Sequence, residues 1–484
     1  MIKVLRARRA AIPILGMVFS LSCAAAALAV PDLPRFESAA LSQAVAATLS
    51  GGGLLLDGVE VAGTGETTAF VLERFDVLTS DAVIIVHGED GEIRLPAPKN
   101  AYFRGGVDGE PGSRVVLSVL EDGSVEGIVT RDSGLYLIGG DGEEAEKALG
   151  GPLLMHEVDP ISVKTANGGF TCGNDKLPRI TDPLAALGAP EPDAPSAVLE
   201  KAASYNARVA IETDFEYYQK FNNVTNATNY AINLLAYAST IYEAEVNTAL
   251  TVPSVSLWTT SSDPWSQSST TCGLMEFGRY WNKNNAGVSR TIAHFLSGRA
   301  LGGGIAWLGV LCSGGFSANA TCPGLATDAP WGGGYGFTAS LSGTFNIANP
   351  AVIWDIVAVS HEIGHNFNSP HTHCYNGIGD SQAVDGCYNG ECANGCYCGT
   401  QGLPGPQGVR SGTLMSYCHL LGGGFTNIAM TFGTGHPYGV LPGRVPSRMS
   451  SHVVSRATSN PSCLAYTAGI FSDGFETGSA GSWQ

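Results

Sequence analysis

The stretch HEIGHNFNSPH, His361 to His371, puts three histidines and a glutamate into one short segment and constrains this chain more than any other. In IWDIVAVSHEIGHNF the apolar residues recur at helical spacing, so the run reads as a helix. His361 and His365 then lie one turn apart on one face, where two imidazoles can hold one metal ion from the same side. Glu362 is rotated by about 100° from His361, so it can reach a water beside the ion without ligating the ion. A helix continued past His365 would carry residue 371 roughly 9 Å further along, at about 1.5 Å per residue, and onto another face. Asn368 tolerates the left-handed conformation that ends a helix, and Pro370 blocks continuation. The segment therefore predicts a stop and a turn that bring His371 back as a third ligand. Three neutral histidines leave one coordination position for water, which is a catalytic arrangement rather than a structural one. The competing reading is a helical histidine pair with no metal.

The rest of the chain decides how that site is delivered. Of 484 residues, 44% are hydrophobic and 14% charged, a folded rather than a disordered composition. The net charge of −17 argues against binding nucleic acid or anionic lipid, and otherwise means solubility. The chain opens with Lys3, Arg6, Arg8 and Arg9, then an apolar run and Ala27-Leu28-Ala29, which reads as a secretory signal over residues 1–29. An uncleaved anchor is the alternative, disfavoured by the small residues and Pro31 that close the run. No other stretch approaches the ~20 apolar residues of a membrane span. The expectation is a secreted, extracellular monomer with no nucleic-acid partner and no membrane partner once the signal is removed.

Residues 30–180 read as β-rich, because runs such as TAFVLERFDVLT, AVIIVHG and SRVVLSVLE are β-branched and split by Gly, Asp and Asn turns. The segment 181–200, with Pro183, Pro190, Pro192 and Pro195, reads as an extended linker open to proteolysis. From residue 201 strands and helices alternate: RVAIETDFEYYQKF, the long helical NYAINLLAYASTIYEAEV, the strand LTVPSVSLWTT, then strand-and-loop material before the histidine helix. This implies an α/β layer. After His371 the chain is rich in Cys and Gly and reads as irregular, with a last helix in RVPSRMSSHVVSRATS and a flexible tail over 467–484.

HEIGHNFNSPHTHC and the later GTLMSYCH resemble the metzincin metallopeptidases, whose pattern is H-E-x-x-H-x-x-G-x-x-H followed by a methionine turn. Within that clan SVSLWTT, RTIAHFLSG and GIAWLGVLC resemble the reprolysin (adamalysin-like) branch over roughly residues 205–465. FRGGVDGEPGSRVVLSVLEDGSVEGIV is fainter, resembling a reprolysin propeptide. The resemblance implies a metzincin catalytic domain over 201–466: a mixed, mostly parallel twisted sheet, an active-site helix and a disulfide-rich C-terminal subdomain. It implies one catalytic Zn²⁺ on His361, His365 and His371, with Glu362 as general base and acid and Met415 as a floor beneath the imidazoles. Two positions depart from the family. Asn368 replaces the turn glycine, and Thr372 stands where adamalysins carry an acidic residue. Tyr417 follows Met415 at the offset where other metzincins place a tyrosine that assists catalysis; an ordinary packing tyrosine is the other reading. Ca²⁺ is possible but not indicated.

Twelve cysteines less Cys23 of the signal leave eleven, and ten of these follow residue 270. Five disulfides with Cys172 left over is the arithmetic of an oxidising compartment. The resemblance makes Cys172, in NGGFTCGNDKLP, a cysteine switch that occupies the zinc until the linker is cut; pairing of Cys172 with a downstream cysteine is the alternative. It also suggests a Cys312–Cys463 pair. The cluster from Cys374 to Cys418 lacks the C-x₂-C spacing of a second zinc site and reads as disulfides. His373 and His419 read as surface or supporting residues, His294 as a satisfied buried one. The expected function is a zinc-dependent endopeptidase made as a zymogen, acting on extracellular proteins or peptides, with an activating protease or self-cleavage as partner. The Gly-rich GGGIAWLG to GYGFTASLSG region is expected to supply an edge strand for the substrate. Competing functions are a non-catalytic binding or adhesion protein on the same scaffold, and a zinc hydrolase acting on a non-peptide bond.

Overall fold

Adjacent residues in the N-terminal strands point to opposite faces, and here both faces are apolar. Val115, Leu117, Tyr136 and Ile138 lie inside one core, while Val116, Leu135 and Leu137 lie in another. A barrel with an apolar outer row needs something to cover that row, and the computed structural model shows what does. The structure describes residues 33–139, 151–163, 170–177, 203–318 and 320–466. The signal, linker and tail readings fall outside these residues. From Pro34 onward the chain forms one compact unit. Among the described residues no helix is long and apolar enough to cross a membrane.

The N-terminal half supplies strands β1 (Arg35–Glu37), β2 (Gly53–Val61), β3 (Thr67–Phe75), β4 (Leu78–Gly88), β5 (Gly91–Pro96), β6 (Ala101–Val107), β7 (Arg114–Val119), β8 (Val125–Thr130), β9 (Leu135–Ile138), β10 (Leu154–Glu157) and β11 (Thr171–Cys172), with helix α1 (Leu41–Ala47). An eight-stranded sheet runs β1-β2-β10-β9-β8-β7-β6-β3, and a β2–β3 pairing closes it into a barrel around Leu54, Phe70, Phe103 and Leu117.

The remainder supplies β12 (Tyr205–Thr213), α2 (Phe215–Tyr218), α3 (Val224–Val246), β13 (Thr248–Trp258), α4 (Thr270–Asn284), β14 (Ile292–Leu296), β15 (Gly303–Ala306), β16 (Tyr335–Thr338), α5 (Val352–Asn366), α6 (Arg444–Ser459) and β17 (Ala465–Tyr466). The second sheet has nine strands, ordered β11-β15-β16-β14-β12-β13-β4-β5, with β17 pairing β12. Strands β4, β13, β12, β14 and β16 are mutually parallel, and β15 is antiparallel to β16. The strand read at AVIIVHG therefore forms, yet it joins the sheet of the C-terminal half, so the sequence boundary near residue 180 does not separate the two sheets.

Helix α3 is buried along nearly its whole length, between the second sheet and the barrel. Asn223 caps its start by accepting from Asn226 N–H, and Asn247 ends it at a φ of 54°. Helix α4, not recognised in the sequence, is capped by Ser269, which accepts from Cys272 N–H. Its Gly278 weakens helix propensity but is required, since a Cβ there would overlap the Trp331 carbonyl. Between His371 and α6 the chain is short 3₁₀ turns and loops tied by Cys374–Cys396, Cys387–Cys418 and Cys392–Cys398; Cys272–Cys322 and Cys312–Cys463 brace the rest.

Candidate metal centre

Helix α5 ends as its sequence requires. Asn368 adopts a φ of 77°. The freed carbonyls of the last turn are taken up locally: His365 O accepts from Asn368 N–H at 2.8 Å and from Gly309 N–H at 2.9 Å, and Gly364 O accepts from Ser369 N–H at 3.1 Å. Arg448 of α6 pins the turn by donating to Asn368 O at 2.6 Å. The fold-back brings His371 to the pair on the helix, with ring centroids 4.8 Å from His365 and 5.3 Å from His361.

Each imidazole is oriented from behind. The Nδ1–H of His361 donates to Leu414 O at 2.7 Å, that of His365 to Ser369 O at 2.6 Å, and that of His371 to Glu391 Oε1 at 2.7 Å. These bonds leave the Nε2 lone pairs facing one another. Burial lowers all three: His361 lies well below its ordinary value, His365 is at about 3 and His371 at about 4. They are neutral, as ligands must be. Met415 is fully buried beside this group. Gly364 makes room for it, since a Cβ there would collide with Met415 Sδ, and Met415 O accepts from Thr372 N–H at 3.0 Å. The turn at Met415 thus holds both the first histidine and the segment carrying the third.

Cys172 completes the cluster. It is unpaired and buried, its Sγ is 3.3 Å from His365 Nε2, and it donates to Glu362 Oε2 at 3.4 Å. Burial and the Glu362 carboxylate push the Cys172 thiol well above its ordinary value, and burial does the same to Glu362. One ligand atom from each of Cys172, His361, His365 and His371 lies within 4.8 Å of the others. His361 Nε2, His371 Nε2 and Glu362 Oε1 are buried with no hydrogen-bond partner. Orphaned acceptors of that kind, in a three-nitrogen, one-sulfur set, fit a tetrahedral metal ion such as zinc.

The segment bearing Cys172 lies along the cleft as a strand. Thr171 and Cys172 register with Gly303 and Gly304 in parallel, at the end of the sheet. A Cβ at Gly303 would overlap the Thr171 carbonyl, so only glycine there lets a chain pass, and one at Gly304 would overlap the Glu362 side chain. Tyr417 Oη accepts from Cys172 N–H at 3.0 Å and donates to Cys172 O at 2.9 Å. His419 donates to Phe170 O at 3.0 Å, and the Phe170 ring packs edge-on against Trp354 and His361. His294 is buried against Thr338 Oγ1 at 2.9 Å, away from this cluster.

Glu391 and Phe170 escaped the sequence reading. Glu391 accepts from both His371 and His373, the latter at 3.1 Å. Burial alone would raise its carboxyl, but those two hydrogen bonds outweigh it and hold the group well below the usual carboxylate range. It lies between the paired Cys374–Cys396 and Cys392–Cys398, where no spacing rule marks it. A second cluster of His371, His373, Cys374 and Glu391 shares these groups, and its cysteine is already in a disulfide.

Residues 203–417 match the family model for reprolysins, metallo-peptidase family M12. Among solved structures the chain is similar to metalloproteinase-II from Bacteroides fragilis, with 11% identity, 73% of this chain and 93% of that chain covered, and a TM-score of 0.35; so distant a likeness carries no argument. No curated protein matches the sequence.

Proposed function

Since residues 203–417 form a reprolysin-like metallopeptidase domain, we propose that the chain is a secreted zinc endopeptidase, made as an inactive precursor, that cuts extracellular proteins or peptides. One observation carries this reading: three neutral imidazoles converge with Cys172, and two of their Nε2 atoms have no other partner. His361, His365 and His371 would hold the zinc, with Cys172 as fourth ligand in the precursor. Bound zinc would supply Lewis acidity toward the scissile carbonyl and the attacking water.

The protein's own groups do the rest. Glu362 takes a proton from the water on its carboxylate and returns it to the leaving nitrogen. An extended substrate takes the place of β11, bonding to the Gly302 and Gly304 carbonyls that now accept from Thr171 and Gly173 N–H. Tyr417 Oη, released from Cys172, turns to the carbonyl oxygen as it gains charge. The latch opens when a cut in the 181–200 segment frees the C-terminal end of the stretch carrying Cys172.

The test is hydrolysis of an unstructured protein substrate by the purified, linker-cut chain. Activity should vanish with a strong chelator, return with zinc, and fall at least about 100-fold in Glu362→Gln. Full activity in Glu362→Gln would sink the assignment.

A further inference from the structure

We propose that residues 34–177 are a lasting partner of the peptidase domain, not a segment it discards. After a cut between Leu177 and Ala203 they stay bound, and only the stretch from Phe170 to Leu177 leaves the cleft. The activation half of this statement rests on the zymogen reading above; the retention half does not.

The N-terminal half supplies both ends of the nine-stranded sheet, β11 at one and the β4–β5 hairpin at the other. The two attachments differ in extent. Strand β11 registers through two residue pairs only. Its further ties are the Tyr417 and His419 bonds, Asn174 Nδ2 donating to Ala306 O at 2.6 Å, and the buried side chains of Phe170 and Leu177 on either side of it. Strand β4 pairs with β13 from Val252 to Trp258. Its Ile84 and Val86, and Val77 just before it, are buried in the same core as α3 and α5. The His87 ring stacks on Trp258 at 4.0 Å, and its Nε2 is 3.0 Å from Ser256 Oγ. Removing the hairpin would leave β13 as an open edge with a row of unpaired backbone groups.

The barrel makes a second attachment. Its outward Tyr102, Val116, Ile128 and Leu137 belong to the core that includes α3. Around them Arg104 pairs with Glu243, and Asn100 Nδ2 donates to Asn229 Oδ1 at 2.9 Å, with both α3 residues buried. Departure of the N-terminal half would bare apolar faces on the barrel and on α3 together. Obligate interfaces are built this way, as a core divided between two chains.

A recognition sequence for a site-specific protease placed in the 181–200 segment of the full chain tests this. After cutting, both fragments should co-elute on size exclusion, and hydrogen exchange should show β4 and β13 amides still protected while those of residues 170–177 lose protection. Separate elution, or β4 amides exchanging as fast as those of 170–177, would overturn retention. The two readings fail separately. Co-elution without gain of peptidase activity keeps retention and refutes latch release; separation with gain of activity does the reverse.

Discussion

The two ends of the nine-stranded sheet come from the same half of the chain and are attached to very different extents. At the cleft end a two-residue strand is held by polar bonds, one sulfur and the flanking buried side chains of Phe170 and Leu177, over glycines that admit no side chain. At the hairpin end the strand is long and its apolar residues merge into the main core; the outermost strand, β5, presents Glu92, Arg94 and Pro96, which discourage further pairing. One strand addition is suited to being reversed, the other to being kept. Pairing geometry is shared, and the number of paired residues and of buried apolar side chains makes the difference.

The largest expected effect lies at the hairpin. Ile84→Asp would put a carboxylate where 2% of the residue is exposed, inside the main apolar core. We expect a loss of about 4 kcal/mol or more, read as a fall in the yield of folded protein and in Tm. A wild-type Tm would mean that the hairpin is ornamental, and the contrast between the two ends would dissolve.

Next comes the cleft. Cys172→Ala should leave the uncut precursor at least about tenfold more active than wild type, equivalent to roughly 1.4 kcal/mol, while Tm changes little. A silent precursor would remove the latch, and a large fall in Tm would make this end as structural as the other.

What could be read from the sequence follows the range of the forces involved. The turn to His371 was legible because a four-residue spacing, a left-handed Asn and a proline act within one segment. The unpaired status of Cys172 was legible by parity, and the five disulfides bear the count out. The hairpin was legible as strands but not as part of this sheet: His87 and Ser256 stand 169 residues apart, and no local pattern names the partner of a parallel strand. Glu391 was hidden for the same reason, since its approach to His371 is set by two disulfides rather than by its neighbours.

That carboxylate gives a smaller prediction for the cleft. Glu391→Gln keeps the shape of the loop but loses the charge that holds the Nδ1–H of His371. Zinc affinity, measured by competition with a chelator on the folded protein, should fall about 10- to 100-fold. Unchanged affinity would mean that Glu391 serves the disulfide loop alone.

The smallest effect returns to the hairpin and concerns pH. Burial lowers His87, Glu92 opposes this and Arg94 adds to it, both from β5. A histidine lowered in the folded state binds fewer protons there than in the opened chain, so its contribution is full above the ordinary value of 6.5 and is lost as pH falls below it. His87 is only half-buried, so solvent screening keeps the effect well under ~1 kcal/mol. His361, His365 and His371 are also lowered and weaken the whole fold in acid, so a global melt would mask it. The measurement is therefore a difference: hydrogen exchange of β4 amides between pH 7.5 and 5.5, in wild type and in His87→Phe, which keeps a ring on Trp258 without a titrating nitrogen. Wild-type β4 should open more readily in acid by a margin that His87→Phe lacks, after correction for intrinsic exchange. Equal pH responses would show that the stack on Trp258 contributes through packing alone.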